Sequence, residues 1–345
     1  MTFKPFSRHN IGGVEVVSPI WLAPLAGVTT HTFRAWHRKM GAGLVHTEMV
    51  SAVGLSYKNR KTADLIGDDS EPGPIVLQLF APDAESIARG ASLAVRMRRF
   101  DALEVNMACP MPKVTKKGSG AKLLEHPEEA KKIVSALKDF DLPVWVKLRI
   151  TDQNQHPLTT AAFCEALLAS GANLLMLHGR TPAQRYEGFA NKEAIVDIAH
   201  TFPGRIVASG DYYAPADAQF YLDGGCVAVL AARGSLRDAY LIPRTHAALG
   251  YEIPETMTNP TTGDQIDALI QIGREGIAHE GERFTLVLIR RMLSGIFKGF
   301  HGASAIRQMC ASCTSWTALE DSLTRLRDDN SVRADRNLAQ HTIMM

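Results

Sequence analysis

A cysteine and a proline, followed by four lysines with no acid among them, form the stretch best suited to chemistry. Residues 103–124 read LEVNMACPMPKVTKKGSGAKLL. The stretch opens as a strand, with Leu103, Val105 and Met107 alternating against Glu104 and Asn106. Pro110 has no N–H to give a ladder, so the pairing stops at Cys109. Lys113, Lys116, Lys117 and Lys122 follow in a polar loop that Gly118 and Gly120 allow to bend. A thiol at a strand mouth, under a flexible cationic flap, suits proton transfer to a substrate that carries phosphates. A lone cysteine more often packs as a small apolar side chain. What lies at the other strand ends decides between the two readings.

Short apolar runs at 20–23, 44–47, 75–79, 102–106, 144–148, 174–177, 206–208 and 227–231 read as strands. Helical patterns lie near 31–40, 50–65, 83–98, 127–139, 158–170, 191–201, 215–223 and 236–248. This alternation predicts a (β/α)8 TIM barrel, whose near-continuous apolar strands are covered on both faces. A doubly wound open sheet is the rival, and it has little use for eight such repeats. In a barrel, chemistry gathers at the C-terminal strand ends. Those ends carry Pro24, Leu25 and Ala26, then His46 and Glu48, then Gln78, then Asn106 and Cys109. Lys147 and Arg149 follow, then His178 and Arg180, then Ser209, Gly210 and Asp211, and last Ala232, Arg233 and Gly234. Singly these are ordinary residues; together they make a site.

Past residue 254 the alternation stops. Helical patterns at 262–280, 283–298, 303–309 and 317–326 predict a small bundle appended to the barrel. Its segment 283–313 carries Arg283, Arg290, Arg291, Lys298 and Arg307 and no Asp or Glu, a stripe suited to nucleic-acid phosphates. The expected division is a catalytic barrel over 1–250, a helical domain over 251–330 and a flexible tail over 331–345. With a net charge of only +2, polyanion binding must rest on such local clusters. No apolar run reaches the ~18 residues of a membrane span, and the first residues lack a secretory core, so a cytoplasmic protein is expected. Five cysteines at irregular spacings do not describe a disulfide framework. Cys310 and Cys313 read as reduced helix cysteines.

The sequence resembles the tRNA-dihydrouridine synthase family. LAPLAGVTTHTFR (22–34) is similar to that family's APMAGVTDxxFR start, and VLQLF (76–80) to its glutamine strand. EVNMACPMPKVTKKGSGAKLL resembles its NxGCPxxKVxxxGxGaaLL loop, the most specific part of the likeness. VKLRI, LHGRTPAQRYEGFAN, ASGD and AARGSL resemble the later barrel signatures, and RRMLSGIFKGFHGASAIRQMC the helical domain. The likeness looks nearest the bacterial B-type subgroup. Thr30, Ala108, Ser209 and Ala232 depart from the usual Asp, Gly, Asn and Gly, and Asp238–Ala239 from Asn-Pro. Ser209 and Ala232 fall in the turns expected to hold flavin phosphate.

The resemblance implies an FMN-dependent reductase of uridine in tRNA, using NADPH; a monomer is expected. Reduction of the uracil 5,6 double bond needs a hydride at C6 and a proton at C5. Cys109 is the expected acid, with Asn106 holding the base. Pro24, Leu25 and Ala26 would underlie the flavin, with Gln78, Lys147 and His178 around it. Ser209, Gly210, Asp211, Ala232 and Arg233 would hold its phosphate. Lys113, Lys116, Lys117, Arg180, Arg290 and Arg291 would grip the RNA, whose target base must flip out to reach a barrel mouth. Two alternatives stand beside this: a dihydroorotate-dehydrogenase-like flavin barrel acting on a small molecule, and a non-catalytic RNA-binding relative.

Overall fold

A ring of parallel strands closes when the second barrel strand pairs with the first on one side and the third on the other. The computed structural model describes residues 7–67, 69–300 and 302–329; the tail expected over 331–345 lies outside them. In chain order the strands are β1 (His9–Ile11), β2 (Val14–Val16), β3 (Ile20–Leu22), β4 (Val45–His46), β5 (Val50–Ser51) and β6 (Ile75–Phe80). β7 (Ala102–Met107), β8 (Val144–Arg149), β9 (Leu174–His178), β10 (Ile206–Ser209) and β11 (Ala228–Ala231) follow. The order β4-β3-β11-β10-β9-β8-β7-β6, closed by β4–β6, makes the eight-stranded parallel barrel. β5 adds two residues against the far end of β6.

Period-two alternation sorts each strand into an inward and an outward set. Leu103, Val105 and Met107 of β7 point out into the layer shared with the surrounding helices. Ala102, Trp145, Leu174, Val207 and Ala228 point in and fill the lower barrel with Trp21, Leu44 and Val76. Trp21 stacks on Trp145 with ring centres 5.5 Å apart. Further up the same strands the inward positions become polar: Glu104 and Asn106, Lys147 and Arg149, His178, Ser209. The site is therefore the continuation of the inward face beyond the apolar floor.

The N-terminal hairpin β1–β2 was not foreseen. Gly12 and Gly13, at φ 60° and 94°, make its two-residue turn. The carbonyl of Gly12 accepts from the Trp145 indole at 2.9 Å, so the hairpin plugs the barrel's N-terminal end. The helix expected over 50–65 is broken into Ala52–Ser56 and Arg60–Ala63, each with its own side-chain N-cap, Ser51 and Asn59. The loop over Cys109 is also more ordered than a flexible flap. Pro112–Thr115 is a helical turn and Gly120–Glu125 a 3-10 turn, with Val114, Ala121 and Leu123 buried beneath. Gly120 sits at φ +63°, and a Cβ there would lie 2.7 Å from the Cys109 carbonyl.

The C-terminal helices are Thr262–His279, Glu282–Ile296, Ala303–Ser312 and Trp316–Asp328. Trp316 packs so closely on Gly273 that any side chain there would collide with its ring. The bundle meets the barrel through Glu280, which accepts from the Thr32 amide and hydroxyl at 2.8 and 2.7 Å. Gly295 lets helix 282–296 reach the Leu236 carbonyl.

Arg290 has partners within the bundle. Its guanidinium donates to the carbonyls of Cys310, at 3.3 Å, and Cys313, so it ties helix 282–296 to the end of helix 303–312. Arg290→Ala should strand those carbonyls and cost about 1–3 kcal/mol. Urea unfolding tests it, and a loss within experimental error would show that the two bonds contribute nothing.

Candidate active site

The polar inward positions line one cavity at the C-terminal mouth, with about 920 Å³ of empty space counted out to bulk solvent. Ala23, Pro24, Leu25, Ala26 and Leu230 give it an apolar side; Cys109, Lys147, Arg149, His178 and Arg233 face it with polar groups. Strand register brings these together. Asn106 pairs with Lys147 across β7–β8, and Arg149 with His178 across β8–β9. Ser209 pairs with His178 across β9–β10.

Cys109 is half-buried, at the lip of this cavity. Its amide donates to Asn106 Oδ1 at 2.9 Å, and its carbonyl accepts from Ala121 at 3.0 Å, so the backbone is pinned from both sides. Burial pushes the thiol up from its ordinary 9.0, outweighing the Met111 amide and Arg149, which pull it down. The group is a loaded acid at neutral pH, not a thiolate.

Lys147 is buried and donates to Ser209 Oγ at 2.9 Å. Burial presses its ammonium down to about 8, against the pull of Glu104. His178 accepts at Nδ1 from the Arg180 amide, 3.1 Å away. Burial, then the charges of Lys147, Arg149, Arg180 and Arg233, holds its ring well below the ordinary 6.5. His178 is thus neutral with its hydrogen on Nε2, a donor.

A sign follows for the pH profile. If Cys109 serves as an acid and Lys147 as a cation, both would need their protons, and both lose them as pH rises. Lys147 goes first, so the alkaline limb of turnover is expected at about pH 8. A limb starting only above 9.0 would mean that Lys147 is not required charged.

Asp211 joins two arginines. Arg180 donates to it through Nη1 and Nη2 at 2.9 and 2.7 Å, Arg233 at 3.0 Å, and the Ala190 amide at 2.7 Å. With that carboxylate neutralised, the cavity is left with an excess of positive charge from Lys147, Arg149 and Arg233. A flat apolar side beside such a cationic wall fits a flavin nucleotide, ring on one and phosphate on the other.

Several expected roles change. Arg180 is buried and spent on Asp211 and on the carbonyls of Glu187 and Gly188, so it does not face RNA. Asp211 holds arginines rather than a phosphate. Gln78 lies below the cavity lining, its amide bonded to Glu104 and Asn106. Asn106 lines the cavity, but its oxygen is committed to the amides of Ala108 and Cys109 and one amide hydrogen to Gln78. These bonds let it orient the cysteine loop. Lys113, Lys116 and Lys117 are exposed, while Lys122 pairs with Glu125 at 2.6 Å. Arg291 is exposed and donates to the Gly27 carbonyl at 2.6 Å, joining the bundle to the loop after β3.

Sequence reading assigned no role to Arg149 or Tyr186. Arg149 donates to the carbonyls of Ala108, Thr181 and Arg185, bracing the cysteine loop against the loop after β9. Its signal was available: it lies two residues past Lys147 on the inward face. Tyr186, with Arg149 and Arg233 at 5.5 and 5.3 Å from its ring, sits in a loop with no periodicity to announce it.

A closed parallel barrel with its polar groups gathered at the C-terminal mouth defines the TIM-barrel class. A profile described as "Dihydrouridine synthase (Dus)" matches residues 21–330. The chain is 33% identical over 341 residues to a "Probable tRNA-dihydrouridine synthase" of Mycobacterium tuberculosis, covering 94% of this chain and 86% of that one. It is 29% identical over 310 residues to "tRNA-dihydrouridine synthase B" of Vibrio parahaemolyticus, covering 87% and 92%. Among solved structures it is similar to a morphinone reductase in complex with tetrahydroNAD, at 16% identity and a TM-score of 0.49, covering 73% and 93%. The chain belongs to the dihydrouridine synthase family.

Proposed function

We propose that the protein reduces the 5,6 double bond of uridines in tRNA, with FMN held at the barrel mouth and NADPH as reductant. One observation carries the reading: the thiol of Cys109 faces the same cavity as Lys147, His178 and Arg233. Reduced by NADPH, an FMN bound there would supply the hydride to C6 of the uracil ring. Pro24, Leu25 and Ala26 would give the flavin its apolar support. Lys147 and His178 would offer it a cation and a donor. Ser209, Gly210, Ala232 and Arg233 would hold its phosphate.

Cys109 gives its proton to C5, and its raised thiol keeps that proton available at neutral pH. Asn106 holds the cysteine backbone in place while this happens. Exposed Lys113, Lys116 and Lys117, with Arg291 on the helical side, bracket the mouth and take RNA phosphates. Replacing Lys116 and Lys117 with alanine should lower the salt slope of tRNA binding by about two; an unchanged slope would show these lysines to be only a solvated surface. No helix among the described residues is long and apolar enough to cross a membrane, and a tRNA substrate points to the cytoplasm.

The test is dihydrouridine measured by mass spectrometry after incubating the purified protein with NADPH and unmodified tRNA. Turnover of free pyrimidines in preference to tRNA would favour the small-molecule reading. A colourless protein that binds tRNA and forms no product would favour the non-catalytic one.

A further inference from the structure

The barrel interior holds a carboxylate that this reaction leaves without a task. Glu104 on β7 and His46 on β4 are fully buried, outside the cavity lining. His46 Nδ1 lies 2.7 Å from the Leu22 carbonyl, which can only accept, so Nδ1 carries a hydrogen. His46 Nε2 then faces Glu104 Oε2 at 3.4 Å, and neither atom has another partner. A neutral ring against an ionised carboxylate would set lone pair against lone pair in a dry core. One proton therefore belongs to the pair, whichever atom it rests on.

The other oxygen of Glu104 starts a chain. Oε1 accepts from Gln78 Nε2, Gln78 Oε1 accepts from Asn106 Nδ2 at 2.9 Å, and Asn106 Oδ1 accepts from the amides of Ala108 and Cys109. A carboxamide has a donor end and an acceptor end, so two in series can run in either direction. Here both termini demand the same direction: an acceptor at Glu104 and two N–H groups at the cysteine loop. Reversal of Gln78 would set its nitrogen against that of Asn106, and reversal of Asn106 would point its nitrogen at those N–H groups and release the loop.

We propose that Glu104, sharing one proton with His46 on its far side, is a positioning residue. It sets the polarity of the Gln78–Asn106 chain and, through it, the placement of the Cys109 thiol. The proposal rests on the reading of Cys109 as the acid.

The test is a double-mutant cycle on the full-length, cofactor-loaded protein, read by the rate at which iodoacetamide alkylates Cys109, resolved by mass spectrometry. Asn106→Asp puts an acceptor against Gln78 Oε1 and should change that rate about tenfold. Adding Glu104→Gln lets the whole chain reverse, since a carboxamide at 104 can turn its nitrogen toward Gln78. The pair also restores the net charge, and the rate should return close to the wild-type value. Additive effects of the two substitutions would overturn the proposal, because a merely structural role predicts no rescue. If Asn106→Asp does not fold, Glu104→Gln against Glu104→Leu carries the test. The former keeps an acceptor for Gln78 and should keep the rate; the latter should not, and equal rates would overturn the chain. Dihydrouridine formation, followed in parallel, separates the two readings. Rescue of alkylation in a protein that forms no product would leave the chain standing and remove the proposed reaction.

Discussion

Cys109→Ala is expected to slow single-turnover dihydrouridine formation by about 10²- to 10⁴-fold, the usual worth of a positioned general acid. Cofactor content and tRNA affinity should stay close to wild type, because the thiol makes none of the contacts assigned to either. The size of the effect follows from the site. Burial holds the Cys109 thiol above its ordinary 9.0, so nearly every molecule carries the proton at pH 7. No other described cysteine lines the cavity. Cys164 and Cys226 are buried with thiols pushed up to about 12, and Cys310 to about 11, so alanine at these positions tests packing alone. A purely packing role for Cys109 predicts the opposite pattern: a modest loss of stability from a small cavity and little change in rate. Single-turnover product formation at near wild-type rate would remove Cys109 from the mechanism.

The barrel was legible because its signal is repeated and local. Each strand needs only a short apolar run, and inward positions two apart announce the site once the fold is known. That is why Cys109, Lys147, His178 and Arg233 were found and do meet in one cavity. What failed was the assignment of partners. Arg180 and Arg290 are cations in promising places, yet each is consumed by backbone carbonyls and, for Arg180, a carboxylate 31 positions away. A sequence shows that a guanidinium exists and not what it reaches, and its five donors are readily spent inside the protein. The bond between Gln78 and Asn106 was hidden for the same reason: each amide can bind a ligand or another amide, and only register across β6 and β7 shows that they bind each other. The hairpin β1–β2 was missed although Gly12–Gly13 between two short alternating runs is a hairpin signal. Three-residue strands fall below what periodicity can resolve.

Asp211→Ala should be the most destabilising single change at the site, by about 3–5 kcal/mol, the range for leaving one partner of a buried ion pair uncompensated. Arg180 is 2% exposed and would keep only the Glu187 and Gly188 carbonyls, neutral acceptors for a full charge. Arg233 and the Ala190 amide would lose an acceptor too. Asp211 also sits at φ +43°, a left-handed conformation that Asp and Asn tolerate better than Ala. Asp211→Asn separates the contributions: it keeps the backbone preference and one acceptor oxygen but loses the charge, and should fall between wild type and alanine. The effect has a defined pH dependence. Burial works to raise the Asp211 carboxyl, but the bonds from Arg180 and Ala190 outweigh it and hold it below the ordinary 3.8. A depressed carboxyl stabilises the fold fully above its unfolded value and stops doing so as pH falls through the folded one. The gap between wild type and alanine in urea unfolding should therefore be constant above pH 3.8 and shrink below it. Because the same carboxylate fixes Arg233 and the turn after β10, cofactor content should fall with stability. An alanine variant within about 1 kcal/mol of wild type, flavin retained, would show that Arg180 finds water or another acceptor, and that Asp211 is not what holds the wall of the cavity together.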